Sequence, residues 1–230
     1  MKIILVVISL IFADNSISQT LTLNIAYDYC YSKQLDNAIQ SYNFARPFLA
    51  NKQPLLMHGT SVSASYIFKS EKHFKHGINI SYSYFRSHAE NENTVNNYNL
   101  HFLNLGYLVH YDNPEKWKGF YLDLIFSATS SGLFRKINQE PFVYDDNKSK
   151  ALGIGGDIGL RMGYEIYVSK SISISPFVLI GYSPYVYSPK NEVVINQTKG
   201  LTGKNWTGIL NAQIGCAIHL KKRNTERNSV

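Results

Sequence analysis

From Leu152 to Ile166 the even-numbered positions read Leu, Ile, Gly, Ile, Leu, Met, Tyr, Ile, while the odd-numbered positions from Gly153 to Glu165 read Gly, Gly, Asp, Gly, Arg, Gly, Glu. A period of two places each set on its own face of a β-strand. In a helix the apolar set would smear round every side, and each glycine would cost about 1 kcal/mol. Ala151–Val168 therefore reads as a strand with one greasy face and one small or charged face. That dyad is what a transmembrane β-barrel strand requires, apolar toward lipid and polar inside.

Seven further segments alternate in the same way. Leu21–Tyr31 sets Leu21, Leu23, Ile25, Tyr27, Tyr29 and Tyr31 against Asn24, Ala26, Asp28 and Cys30. Thr60–Lys69 turns Val62, Ala64, Tyr66 and Phe68 outward. Ile78–Ser87 opposes Ile78, Ile80, Tyr82 and Tyr84 to Asn79, Ser81 and Ser83. Tyr98–Tyr111 changes phase near Phe102-Leu103, which predicts a β-bulge, and then turns Leu105, Tyr107, Val109 and Tyr111 to lipid. Phe120–Thr129 has Phe120, Leu122, Leu124 and Phe126 outside and Asp123 inside. Ile172–Ser183 carries Pro176, which lacks a ladder donor and predicts local distortion. Trp206–Leu220 turns Leu210, Ala212, Ile214, Cys216, Ile218 and Leu220 outward, with Asn211, Gln213, Gly215 and His219 inside.

Eight such segments give an all-β fold, an eight-stranded antiparallel up-and-down transmembrane barrel. The connections alternate in expected length. Residues 32–58, 88–97, 130–150 and 184–205 are long; residues 70–76, 112–119 and 168–171 are short. Outer-membrane barrels pair long extracellular loops with short periplasmic turns, so both termini are expected to be periplasmic. Aromatics at strand ends fit two interfacial girdles: Tyr27, Tyr29, Tyr31, Tyr82, Tyr84, Tyr182, Tyr185 and Tyr187 beside Trp206 on one side, Tyr111 and Trp117 on the other.

Composition adds location. The chain opens Met1-Lys2, runs uncharged from Ile3 to Phe12 and reaches small residues at Ser16 and Ser18. This is a secretory signal peptide, expected to occupy residues 1–18, with the barrel domain at 19–221 and a polar periplasmic tail at 222–230. The apolar run is too short for a membrane helix, which needs about 20 residues. The formal charge is +7, and removing residues 1–18 deletes one Lys and one Asp and leaves it unchanged. The 17 lysines fall almost entirely in expected turns, loops and tails. Lysine at the midplane of a lipid-exposed barrel face costs about 2–4 kcal/mol, whereas a soluble barrel has no reason to exclude it. A soluble lipocalin-like barrel would also bury bulky side chains, and the presumed interior here is glycine, serine and charge. Cys30 points inward and Cys216 outward, so no disulfide is expected.

This pattern resembles the small outer-membrane barrels of the OmpA/OmpX type over roughly residues 20–221. The resemblance implies a bacterial outer-membrane location and an integral barrel with a filled lumen. Many such barrels end on an aromatic residue that the assembly machinery reads; this last strand ends at Leu220 before a charged tail.

An eight-stranded barrel has room inside only for its own side chains. Asp28, Asp123, Asp157, Arg161 and Glu165 are therefore expected to form a polar lumen network, with Arg161 as the hub between Asp157 or Glu165 and Asp123. Loop residues 32–58 carry Phe44, Arg46, Pro47, Phe48, Leu49, Leu55 and Leu56, too apolar for a free loop. They would form either a lid over the barrel mouth or a docking patch for another envelope protein. Arg46 and Arg135 could meet phosphates of lipopolysaccharide. A structural or interaction role in contact with the outer leaflet follows. The alternative is a lipid-modifying hydrolase or acyltransferase, with Ser87, His88, His58, His101 and Asp145-Asp146 near the outer rim. Ser87 and His88 face opposite sides of a strand, and no G-x-S-x-G motif occurs. The histidines are expected to be solvated. No cofactor, metal or nucleic-acid partner is expected.

Overall fold

The computed structural model describes residues 20–44, 47, 50–68, 70, 73–91, 94–113, 115–139, 148–187 and 206–221. The expected signal peptide and C-terminal tail, and residues Arg46, Phe48, Leu49, Asp145 and Asp146, lie outside them.

The strands are β1 (Thr20–Tyr31), β2 (His58–Ile67), β3 (Phe74–Asn91), β4 (Thr94–Asp112), β5 (Phe120–Gln139), β6 (Lys148–Tyr164), β7 (Ile166–Tyr167), β8 (Ile172–Tyr187) and β9 (Trp206–Lys221), with one helix, α1 (Lys33–Phe44), between β1 and β2. Neighbours pair antiparallel in chain order, and β1 closes on β9 from Thr20↔Lys221 to Tyr31↔Leu210. Closure leaves no unpaired sheet edge. β6 and β7 are one strand, because Gly163↔Phe177 and Ile166↔Ile174 share a single register with β8. The molecule is an eight-stranded antiparallel barrel, as the alternation predicts.

The β6–β8 ladder is broken twice, and a proline stands opposite each break. Pairing lapses between Gly155↔Tyr185 and Ile158↔Tyr182, around Pro184, and again between Gly163↔Phe177 and Ile166↔Ile174, around Pro176. Proline has no N–H to give the ladder. At the second break the Glu165 N–H donates instead to the Gly119 carbonyl at 2.6 Å. Gly119 itself has φ +86°, a turn conformation that glycine adopts without strain.

Two expectations about strands are corrected. No bulge occurs at Phe102-Leu103: the register with β3 and β5 is continuous through Tyr82↔Leu103 and Ser83↔Phe102. The apparent phase change arises because Tyr98, Leu100 and Phe102 are apolar residues that point inward. The connections at 88–97 and 130–150 are also mostly strand. β3 runs to Asn91 and β4 starts at Thr94, while β5 runs to Gln139 and β6 starts at Lys148. A membrane-crossing strand needs about 9–11 residues, so these strands overshoot the apolar band. Their outward residues there are polar, such as Arg86, His88 and Lys136, and give no apolar alternation to read.

Elsewhere the outer face is apolar all the way round. Ile25, Val62, Ile80, Leu105, Phe126, Ile158, Ile180 and Ile214 are exposed, one from each wall strand. Among the expected girdle residues Tyr27, Tyr29, Tyr31, Tyr82 and Tyr182 are exposed, and Trp117 stands out at the opposite end. Tyr185 is buried and turned inward, Tyr84 and Tyr111 are half-buried, and the side chains of Tyr187 and Trp206 lie outside the described ones. Cys30 is buried and Cys216 exposed, both as free thiols.

Candidate functional site: the barrel interior and its lid

The interior is stacked in three layers, set by which inward residues each strand supplies at a given height. The first lies toward the end where β1 begins and β9 finishes, here the terminal end. Asp123 on β5 and Arg161 on β6 are direct cross-strand partners. Arg161 Nε donates to Asp123 Oδ2 at 2.7 Å, and a terminal guanidinium nitrogen lies 2.5 Å from the same oxygen. His110 Nδ1 lies 2.6 Å from the other Asp123 oxygen. His110 Nε2 is 3.6 Å from Asp112, whose carboxylate takes Lys75 at 2.7 Å. The chain Lys75–Asp112–His110–Asp123–Arg161 thus links the rim to the lumen through one run of polar contacts. Asp123 and Arg161 are almost wholly buried, at 1% and 2% exposure, and burial of that depth is tolerated only for paired charges. The His110 ring stacks on Tyr121, which meets His219 edge-on. Gly163 makes room for this, since a Cβ there would fall 2.4 Å from the Tyr121 ring.

Asp157 and Glu165 do not join Arg161. They stand four residues either side of it on one strand, about 13 Å along the axis, beyond the reach of a carboxylate. Asp157 accepts from Ser183. Glu165 takes Lys221 at 2.5 Å and Ser173 at 3.1 Å. His219 is buried in the lumen, as its inward position predicts, and so is His110, which corrects the expectation that the histidines are solvated. The signal for His110 was present, because the alternation that sends Tyr107 and Val109 outward sends His110 in. Tyr121 and Lys221 were missed as members. The interior also holds bulky filler, including Leu108, Ile125 and Phe177, so it is not only glycine, serine and charge.

The middle layer is polar and contains Asp28, Ser83, Asn104, Asp157, Asn211 and Gln213. Gln213 Nε2 donates to Asp28 Oδ2 at 3.0 Å.

The third layer fills the opposite, lidded end. Cys30, Phe85, Tyr98, Leu100, Phe102, Leu133, Tyr185 and Ile209 form one apolar cluster with Leu35, Ile39 and Leu56 of the β1–β2 connection. Leu35, Ile39 and Tyr42 fall at helical spacing and form the buried stripe of α1. Polar contacts fix the lid to the wall. Cys30 Sγ donates to the Leu56 carbonyl at 2.6 Å and the Cys30 N–H to the Met57 carbonyl at 2.9 Å. Gln53 Nε2 donates to Ser87 Oγ at 2.5 Å, and Ser87 in turn donates to the Pro54 carbonyl. Asn43 and Gln53 exchange two hydrogen bonds, of 2.9 and 2.8 Å.

Of the expected docking residues, Leu56 is 2% exposed and Leu55 packs against the same cluster. They face the lumen because the helix returns over the barrel mouth, which removes them from any docking surface. Phe44 is 89% exposed and Pro47 is exposed. The candidate catalytic pair is not assembled. Ser87 is buried under the lid, while His88 lies on the outer face 2.6 Å from Asn97 Oδ1. His58 and His101 bond the hydroxyls of Tyr27 and Tyr82.

No protein-family model matches the chain, and no curated protein sequence does. Solved structures match along nearly its whole length. Ail, the attachment invasion locus protein of Yersinia pestis, solved in complex with the heparin analogue sucrose octasulfate, superposes with a TM-score of 0.50 at 6% identity, covering 89% of this chain and 99% of that one. Neisserial surface protein A gives 0.48 at 8% identity, covering 89% and 97%. The outer membrane protease OmpT from Escherichia coli gives 0.40 at 10% identity, covering 91% and 99%. Such identities speak for fold alone, and the fold is that of the small outer-membrane β-barrels.

Proposed function

We propose that this chain is an integral bacterial outer-membrane barrel with a filled lumen and a structural or interaction role, exported by residues 1–18. The observation that carries this reading is the unbroken apolar outer face. A monomeric soluble protein rarely exposes a contiguous apolar patch beyond a few hundred Å²; here such residues ring the barrel on every strand. In this reading both termini are periplasmic and the lidded end is extracellular. The lid and the ionic layer beneath it support a lumen that does not conduct solutes.

The extracellular rim supports contact with anionic lipid. Arg86, His88 and Lys136 are exposed on β3 and β5, and the register sets Lys136 directly opposite Lys148. A lipopolysaccharide phosphate would meet the Arg86 and Lys136 charges there. Phe44, at the exposed end of α1, is with Pro47 the exposed candidate anchor among the described residues for a partner protein of the envelope. Affinity purification from native outer membrane tests the partner: a Phe44→Ala variant is expected to lose co-purifying protein and keep the barrel's thermal stability. Unchanged capture would remove Phe44 from the reading.

Membrane residence has its own test. Ile214, mid-strand on β9 and 70% exposed, is expected to cost about 2–4 kcal/mol when changed to Lys and refolded into lipid vesicles. In a water-soluble barrel the same exposed substitution would stay within about 0.5 kcal/mol. Urea titration of parent and variant decides between them.

A further inference from the structure

We infer that the lipid-facing wall of β2 is a seat for one acyl chain of lipid A, the phosphorylated lipid of lipopolysaccharide, with its phosphate held at Arg86. The inference rests on the reading of the chain as an outer-membrane barrel whose lidded end is extracellular. The outward residues along the middle of β2 are small: Thr60, Val62 and Ala64. The register sets each between two larger neighbours. Tyr27 and Tyr84 flank Thr60, Ile25 and Tyr82 flank Val62, and Leu23 and Ile80 flank Ala64. β2 is therefore the floor of a trench between ridges on β1 and β3. A hollow of about 400 Å³ lies in it, lined by Leu23, Val62, Ala64, Ile80, Tyr82 and Leu103, a volume within the range of small-ligand pockets.

Hydrogen bonds hold the ridges in place. The Tyr82 hydroxyl pairs with His101 Nδ1 at 2.6 Å and the Tyr84 hydroxyl donates to Asn99 Oδ1 at 2.8 Å, which ties both rings toward β4 and away from β2. On the other ridge the Tyr27 hydroxyl pairs with His58 Nδ1 at 2.5 Å, at the head of the trench. The polar residues at the hollow turn to the lumen and are engaged there: Asn24 donates to Ser63 at 2.7 Å, and Ser81 accepts from Asn104 at 3.0 Å. Tyr66, buried and edge-on to Phe68, closes the foot.

Length and charge select the occupant. From His58 to Ala64 is six steps of strand, or about 20 Å. Tilted by about 40°, that run descends about 15 Å, the depth of one leaflet of a hydrocarbon core about 30 Å thick. At the head, the register continued one step past Gly59↔Phe85 brings Arg86 beside His58. Arg86 is exposed, reaches Asn97 Oδ1 only at 3.4 Å and forms no ion pair among the described residues. An apolar trench one leaflet deep beneath an uncommitted guanidinium fits an acyl chain whose headgroup carries phosphate, which arginine can take with two hydrogen bonds. At the extracellular side of an outer membrane that lipid is lipid A. Inside a membrane the gain comes from close packing on small residues rather than from leaving water, so the shape of β2 decides the fit.

The mature chain folded in detergent micelles and titrated with purified lipid A, read by native mass spectrometry, tests the seat. The parent is expected to retain one lipid A per barrel. Ala64→Phe, an apolar exchange on a lipid-facing wall, fills the trench and is expected to weaken retention about tenfold with urea resistance kept. Ile180→Phe, on the outward face of β8, is expected to leave retention unchanged. Should Ala64→Phe fail to fold, Val62→Phe fills the trench one outward position higher. Arg86→Gln is expected to weaken retention about fivefold, the worth of one basic residue at an anionic lipid surface; retention equal to the parent's would overturn the phosphate contact. A folded parent that retains no lipid A, or retains phosphatidylglycerol equally well, overturns the seat. So does equal retention by the trench-filling variant and Ile180→Phe, since the lipid is then a general coat of the barrel. Each of these outcomes leaves membrane residence standing, because the Ile214→Lys comparison reads it separately.

Discussion

Arg161→Met is expected to destabilise the folded barrel by about 3–5 kcal/mol, the loss typical when one partner of a buried ion pair is removed. The substitution keeps bulk at the centre of the lumen but strands Asp123 at 1% exposure, with His110 as its remaining partner at 2.6 Å. The methionine also surrenders the guanidinium placed 5.7 Å over the Phe177 ring. A control separates charge from volume: replacing Asp123 and Arg161 together by apolar residues of similar size is expected to recover most of the loss, because a whole buried pair often trades evenly for packing. Urea unfolding in micelles measures both variants. Unchanged urea resistance of the single variant would remove Arg161 from its central place.

Phe102→Ala is expected to cost about 3–5 kcal/mol, the range for emptying a large aromatic from a packed core. Phe102 stacks on Tyr185 with centroids 5.2 Å apart and meets Phe85 edge-on at 5.9 Å, and both rings belong to the cluster that seats the lid. Its loss should therefore also release α1, seen as faster proteolysis within residues 33–57 of the folded protein. Leu103, the next residue along, is 51% exposed on the outer face. Leu103→Ala leaves no internal cavity, so it should cost far less and leave the lid protected. Equal costs at the two positions would mean that the inward phase of β4 is wrong.

These paired residues also show where the sequence was readable. Alternation is strong wherever lipid lies on one side and polar groups on the other, and there it located all eight walls and the inward set that includes Asp28, Asp123 and Arg161. It misled where the barrel interior itself turns apolar. Tyr98, Leu100 and Phe102 face the lid rather than lipid, and their hydrophobicity imitated a change of phase. It fell silent where strands leave the membrane, since Arg86, Lys136 and their neighbours have water on the outer side. The Asp123–Arg161 contact was legible because register makes them opposite; Asp157 and Glu165 drop out of it because four residues of strand are too far to bridge. The lid could be suspected from apolar residues in a loop. Its seat was not legible, since it depends on which strands bring Tyr185 and Ile209 beside α1.

The two native cysteines offer the most direct test that the outer face meets lipid. Cys216 is exposed on the wall of β9, facing outward between Ile214 and Ile218, while Cys30 is buried beneath the lid. In the unmodified protein folded into lipid vesicles, a water-soluble maleimide is expected to label neither thiol, and to label both once the chain is unfolded in urea. Rapid labelling of Cys216 in the folded, vesicle-bound protein would put that wall in water and contradict a membrane-spanning barrel.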